Sequence, residues 1–151
     1  MANVVDMVQP VAPVEFPHFR LYVLEMLALL ADTERRELPW FVGLDGDAWV
    51  EGVELIWDLL IEDHNIQEAI RLADGTVFFA GEEARRLEAC GRLFMAIFER
   101  RRDEIVNTGS WNCILSDPEW SRLVSLAADA VVAMVNNWGF PRFEVAPKDA
   151  G

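Results

Sequence analysis

Apolar residues recur every three to four positions in four long stretches of the chain, and this spacing predicts four helices. The first runs over residues 18–36, the second over 45–63 and the third over 82–106. The fourth follows the sequence Ser-Asp-Pro-Glu, in which Ser116 is the expected N-cap residue and Glu119 its capping-box partner. A Gly-Phe-Pro sequence closes this helix, as is typical of helix ends.

Between the second and third helices the pattern changes from helical to alternating. Asp74-Gly75 separates residues 70–72 from residues 76–79, and Asp-Gly between apolar, alternating flanks is a strong β-hairpin signal. We therefore predict a mainly α, four-helix bundle-like single domain with a small β-hairpin between helices two and three. An α+β fold is the alternative.

The predicted domain is flanked by two segments of different composition. Residues 1–17 contain three prolines and five valines, which predict an extended arm that either lies across the domain or docks on a partner. The helical domain covers 18–141, and residues 142–151 form a polar tail. We find no internal repeat.

Charge narrows the possible partners. The chain has 26 acidic and 13 basic residues and a formal net charge of −13. A nucleic-acid or anionic membrane surface would repel it, whereas a basic protein surface would attract it. The sequence contains neither a signal-peptide pattern nor an apolar run of about 18 residues, and it has only two cysteines. We therefore expect a cytoplasmic protein.

The second helix carries an unusual arrangement of charge. Five of its carboxylates fall on one narrow face, opposite a face of tryptophan and aliphatic residues, and no Lys or Arg occurs between Glu37 and Ile70. Like charges four positions apart cost about 0.2–0.5 kcal/mol per pair, so this helix gives up stability to keep its acidic face. We call this set the acidic face, and it is our predicted partner-binding site: Asp47, Glu51, Glu54, Asp58 and Glu62.

Three of these carboxylates raise the question of a metal site. Glu51-x-x-Glu54 followed by Asp58 could hold Mg²⁺ through oxygen ligands. The pattern resembles half of the motif of the all-α nucleotide pyrophosphohydrolases of the MazG type, and the resemblance implies a Mg²⁺-dependent enzyme. The second half of that motif is Glu-x-x-Asp, and no Glu in this sequence is followed by Asp three positions later.

The other chemically versatile residues favour structural roles. His18 follows Pro17 at a helix start, and His64 comes at the end of the second helix, where it can cap carbonyl groups. Cys90 lies on the apolar side of the third helix and is expected in the core. Cys113 falls in a predicted loop without a second cysteine nearby. These observations predict no catalytic residue, metal site or cofactor.

The leading functional hypothesis is therefore a small acidic binding protein, of the kind represented by inhibitors, antitoxins and immunity proteins, whose acidic face covers a basic partner. One alternative is that the arginines of the third helix neutralise the acidic face internally. Others are a homodimeric interaction protein without a ligand for the acidic face, and the Mg²⁺-dependent enzyme.

Overall fold

The structure is a computed structural model, and it describes residues 12–32 and 55–141. These residues are mainly α-helical, as the sequence predicts. Residues 55–57 are helical and run directly into a π-helical turn. The helical segments are α1 (Pro17–Ala31), the π turn (Asp58–Glu62), α2 (His64–Leu72), α3 (Glu82–Thr108), α4 (Asn112–Leu115) and α5 (Trp120–Asn137).

Helix α1 begins one residue before its predicted start. Pro17 suits the first turn of a helix, because the N–H that proline lacks would have no helical partner there. The helix buries one side, which includes Val23 and Leu27. It ends at Asp32, whose N–H donates to the carbonyl groups of Ala28 and Leu29. Residues 33–36, which the apolar pattern also assigned to this helix, lie outside the described residues.

The predicted β-hairpin is wrong, because its first strand is the end of helix α2. Asp63 caps this helix by accepting hydrogen bonds from the N–H groups of Asn65 and Ile66. Ile66 and Ile70 are four positions apart and both buried, which is a helical and not an alternating period. The helix ends at Ala73 in the left-handed conformation, with φ 42°.

The Asp-Gly signal did mark a turn, although the turn does not connect two strands. Asp74 and Phe79 form an isolated β-bridge, and the N–H of Gly75 donates to the carbonyl of Phe78 at 3.0 Å. The chain before α1 pairs with this turn, since the N–H of Phe16 donates to the carbonyl of Thr76 at 2.9 Å. The turn therefore has backbone partners both within itself and in the segment before α1, and it does not join two strands of a hairpin.

The predicted arm ends in this same region. Val14 is buried, and its N–H donates to the carbonyl of Gly139 at 2.8 Å. The described end of the arm thus lies across the domain. Residues 1–11, and with them the rest of the arm, are outside the described residues.

Helix α3 begins at Glu82 as predicted and extends two residues further than expected. The stretch expected to be a loop contains the short helix α4. Helix α5 begins later than predicted, because the predicted cap does not form. The Ser116 hydroxyl donates to the carbonyl of Cys113, and Asp117 accepts from the N–H of Glu119 at 2.9 Å.

The three long helices form the centre of the described structure. Helix α5 packs against both α3 and α1, while the π turn and α2 pack against α3. The core between them includes Phe78, Phe94 and Leu123. Within the described residues, no helix is both long enough and apolar enough to cross a membrane.

Candidate functional site

The structure describes two members of the acidic face. Asp58 and Glu62 are the first and last residues of the π turn, and both are exposed. The other three members, Asp47, Glu51 and Glu54, lie outside the described residues.

A cluster of aromatic residues packs the helical segment that carries Asp58 and Glu62 against α3. Trp57 stacks on Phe98 with ring centroids 4.2 Å apart and meets Phe94 edge-on at 5.4 Å. The Trp57 indole N–H donates to Glu62 at 3.1 Å. Trp57 is itself buried, so the helix that carries Asp58 and Glu62 is fixed against α3.

The arginines of α3 do not neutralise Asp58 or Glu62. Helix α3 does contact the π turn, but its arginines pair with other carboxylates. Arg85, Arg92 and Arg102 pair within their own helix. Across the described residues, no arginine lies within 4.0 Å of either carboxylate, and every arginine has a carboxylate elsewhere within that distance.

Two of the remaining arginines, both on α3, pair with Asp117, which lies between α4 and α5. Arg100 donates to Asp117 at 2.9 Å and Arg101 donates at 2.8 Å, and the Asp117 side chain is 0% exposed. Burial by itself raises the pKa of Asp117, but the hydrogen bonds from Arg100, the Glu119 N–H and Arg101 outweigh it. The pKa therefore lies below its ordinary value. These hydrogen bonds connect α3 to the segment between α4 and α5. Arg100 and Arg101 therefore pair with Asp117 and not with the acidic face.

The most deeply buried polar cluster is an ion pair between α1 and α3. Arg20 and Glu83 are both 0% exposed, and two hydrogen bonds of 2.8 and 2.5 Å join them. The remaining Arg20 donors reach the carbonyls of Trp138 at 2.6 Å, Val77 at 3.0 Å and Met134 at 3.1 Å. All five N–H donors of the guanidinium are therefore used.

Glu83 is satisfied as completely as Arg20. Besides the arginine, it accepts from the Phe79 N–H at 2.7 Å and from the Asn137 side chain at 3.3 Å. We call Arg20, Glu83 and these partners the ion-pair hub. It connects α1, α3, the end of α5 and the turn at 74–79, and its saturated hydrogen bonding indicates a structural role.

Sequence reasoning missed the hub, although the sequence contains a signal for it. Arg20 shares the buried side of α1 with Val23 and Leu27, and Glu83 shares that of α3 with Leu87 and Cys90. A charged residue on an otherwise apolar face is the pattern that indicates a buried ion pair.

Of the predictions for the cysteines and histidines, the one for Cys90 is confirmed and the one for Cys113 is wrong. Cys90 is in the core as expected, and burial raises the pKa of its thiol to about 12. Cys113 lies in α4 and not in a loop, and burial, followed by nearby Glu104, raises the pKa of its thiol. His64 is the exposed first residue of α2 and does not close the helix before it, and His18 is exposed in the first turn of α1.

The metal hypothesis depends on residues that are not described. Within 12–32 and 55–141, no group of three or more His, Cys, Asp or Glu residues is placed to hold a metal ion. Glu51 and Glu54, two of the three proposed ligands, fall outside these ranges. The Mg²⁺-dependent enzyme therefore stays an alternative hypothesis.

Known proteins add no assignment. No family model matches the chain, and no curated protein or solved structure shows significant similarity to it. Function must therefore be inferred from the geometry and charge described above.

Proposed function

We propose that this protein is a small acidic binding protein whose acidic face, Asp47, Glu51, Glu54, Asp58 and Glu62, covers a basic surface of another protein. The observation that supports the proposal is the placement of the arginines. Each described arginine has a carboxylate partner elsewhere, and Asp58 and Glu62 remain without a described cation. A basic partner would supply the missing positive charge.

The packing of Trp57 next to Asp58 also supports this proposal. Trp57, stacked on Phe98, holds the helix in place and orients Glu62 through a hydrogen bond. A partner would therefore meet carboxylates on a rigid element, and little side-chain or backbone freedom would be lost on binding. Electrostatic steering by a chain of net charge −13 would increase the association rate with a basic protein and make it sensitive to salt.

The proposal includes the arrangement of the second helix. In this account the helix over 45–63 is the fourth long helix of a bundle-like domain, and it presents its acidic side to the partner. Inhibitors, antitoxins and immunity proteins of this type place carboxylates where a basic protein would otherwise bind an anion. The predicted cytoplasmic location belongs to the same proposal.

A matched pair of variants tests the acidic face. The face variant is Glu51→Gln/Glu54→Gln/Asp58→Asn, and the control variant is Glu15→Gln/Glu25→Gln/Asp103→Asn. The control changes exposed carboxylates of α1, the segment before it and α3 that form no ion pair with a described residue. Both variants therefore lose three negative charges, and only the position of the loss differs.

The experiment has two stages. Wild-type protein on a resin captures partners from native lysate at low salt, and the captured basic protein is identified, purified and titrated against all three chains. We expect the face variant to bind at least tenfold more weakly than the control variant, and high salt to reduce wild-type binding. Equal affinities for the two variants, or no basic protein captured at low salt, would contradict the proposal.

A homodimer is the second candidate, and the surface of α1 favours it. This helix is apolar on nearly all sides, and it leaves Phe19 55% and Tyr22 44% exposed. Phe16 packs edge-on against Phe19 at 6.2 Å and is also about half exposed. A dimer held by these side chains would persist at high salt. Sedimentation of wild type and Phe19→Ser/Tyr22→Ser in 1 M NaCl tests it, and a monomer at every concentration would contradict it.

A further inference from the structure

A groove lies between the π turn, α2 and α3, and its described lining includes no residue of the aromatic cluster. Its volume is about 430 Å³, within the range of about 300–1,000 Å³ that is common for small-molecule sites. Five of the described side chains that line it are apolar: Leu60, Ile61, Ile70, Leu87 and Met95. The three elements that form its walls all pack against one another.

A glycine in the middle of α3 keeps this groove open. Gly91 lines the groove, and glycine is among the least favourable residues for a helix interior. A Cβ atom built at Gly91 would have Ile61 Cδ1 as its nearest neighbour, at 3.8 Å, which is an ordinary contact. Packing of the described residues does not require the glycine, whereas a larger side chain here would occupy the groove.

The π turn forms the wall of the groove opposite Gly91, and it is a second indication that the groove is a functional site. π-Helical turns are rare, and they occur frequently at functional sites. Leu60 and Ile61 of the turn face the groove, and the Gln67 side chain of α2 donates to the Ile61 carbonyl. This hydrogen bond ties the turn to the neighbouring helix.

The described lining of the groove carries two arginines and one glutamate, whereas the chain as a whole is acidic. Arg71, Arg92 and Glu88 are the charged residues among its described lining. Arg92 is 3.9 Å from Glu88, too far for a hydrogen bond, and its side chain is 84% exposed. Arg71 pairs with Glu68 in a similarly exposed position. The exposed Arg92–Glu88 pair is weak, so Arg92 is available to an anionic ligand. Arg71 donates to Glu68 through Nε and Nη2, and it can donate to the same ligand through Nη1 while it stays paired with Glu68.

We propose that this groove binds a small amphiphile with an apolar body and a single carboxylate head. The body lies against Leu60, Ile61 and Leu87 and occupies the space beside Gly91. The head lies at the rim, where Arg71 and Arg92 donate to it. The groove shares the π turn with the acidic face, but its lining includes neither Asp58 nor Glu62, so this proposal can be tested separately from the proposed function.

Decanoate is the probe, and decyltrimethylammonium is the matched cation with a similar alkyl length. Both are titrated into the full-length chain below their micellar concentrations, with binding followed by calorimetry and by amide NMR shifts. We expect saturable binding of one decanoate per chain, with the largest shifts around Gly91. The cationic probe is expected to bind at least tenfold more weakly.

Three variants test whether decanoate binds in this groove. Gly91→Leu fills the groove and should reduce decanoate affinity at least tenfold, and Arg71→Gln/Arg92→Gln should reduce it about fivefold. Arg122→Gln, an exposed arginine of α5, is the control and should bind as wild type does. Circular dichroism establishes that each variant is folded, and the rim variant tests the site even if Gly91→Leu does not fold.

Several results would overturn the proposal. These are the absence of saturable decanoate binding, undiminished binding by folded Gly91→Leu or by the rim variant, and equal binding of the two probes. If a second copy of the chain covers the groove, Gly91→Leu will change the sedimentation coefficient and decanoate will not bind. That outcome also contradicts the proposal.

Discussion

The ion-pair hub and the acidic face use the same chemical group in opposite ways. In the hub, Glu83 is 0% exposed and shares two hydrogen bonds with Arg20. On the acidic face, Asp58 and Glu62 are exposed and have no described arginine within 4.0 Å. The charge of this chain is therefore not spread evenly, because the described arginines pair with carboxylates other than Asp58 and Glu62, some within one helix and some between helices.

The two regions differ in what the removal of one charge would cost. A buried pair that loses one member leaves an uncompensated charge in the core, which is strongly destabilising. An exposed carboxylate among like charges loses only repulsion when it is neutralised. Carboxylates that stabilise the fold and carboxylates available to a partner can thus be separated by measuring stability.

Removing the hub arginine should have the largest effect. Arg20→Met leaves Glu83 buried without its cation, and we expect a loss of about 3–5 kcal/mol in the free energy of unfolding. Urea denaturation followed by circular dichroism measures it.

The double variant sharpens this prediction. Arg20→Met/Glu83→Met removes both charges, so it should cost clearly less than the sum of Arg20→Met and Glu83→Met. Strictly additive costs would show that the two side chains do not act as a pair.

A steric change beside the hub should have the next largest effect. Gly139 has φ +79°, and a Cβ atom there would lie 2.7 Å from Phe79 Cε2 and 2.9 Å from Arg20 Nε. We expect Gly139→Ala to cost about 2–3 kcal/mol, since it adds backbone strain and displaces the hub. Thermal and urea denaturation measure the loss.

Gly75→Ala is the matched control. Gly75 has φ +89°, and a Cβ atom there would have no neighbouring atom within 4 Å. Only the backbone strain therefore applies, at about 1 kcal/mol. A Gly139→Ala cost no larger than that of Gly75→Ala would contradict the close approach at the hub.

Asp117 should have a smaller effect that depends on pH. Asp117→Asn weakens the hydrogen bonds from Arg100 and Arg101, at a cost of about 1–2 kcal/mol at pH 7. Because folding lowers the pKa of Asp117, its contribution is present above the unfolded pKa, about 3.9. It is lost as the pH falls through the lower folded pKa.

Unfolding of wild type and Asp117→Asn between pH 3 and pH 7 measures this contribution. The difference between the two chains should be largest near neutral pH and shrink in acid. A difference that grows as the pH falls would contradict the assigned pairing.

The sequence was sufficient for the helices that carry a regular apolar period. Helices α1, α3 and α5 follow from that period, and Cys90 was correctly assigned to the core. The hairpin prediction failed because Asp-Gly reports a turn but not the structure on either side of it. Asp63 as an N-cap and the spacing of Ile66 and Ile70 were the signals for helix α2.

Long-range partners could not be predicted in the same way. Arg20 and Glu83 are 63 positions apart, and only the fold brings them together. The pairing of Asp117 with Arg100 likewise depends on how α3, α4 and α5 connect. The groove was missed because it needs side chains from three elements, although Gly91 within an apolar helical pattern was visible in the sequence.

The most direct test of the account is the sign of the stability change when the acidic face is neutralised. Glu51→Gln/Glu54→Gln/Asp58→Asn removes the like-charge neighbours of the face, each worth about 0.2–0.5 kcal/mol. Glu68→Gln/Glu82→Gln/Glu88→Gln removes the same charge from carboxylates that pair with arginines. Urea denaturation at 20 mM and 1 M NaCl compares them with wild type.

We predict that the face variant has a higher free energy of unfolding than wild type at low salt and that the paired-carboxylate variant does not. The added stability of the face variant should disappear at 1 M NaCl, because salt screens the repulsion between its carboxylates. A face variant that is less stable than wild type at low salt would contradict the account. It would mean that cations within the chain already neutralise the acidic face.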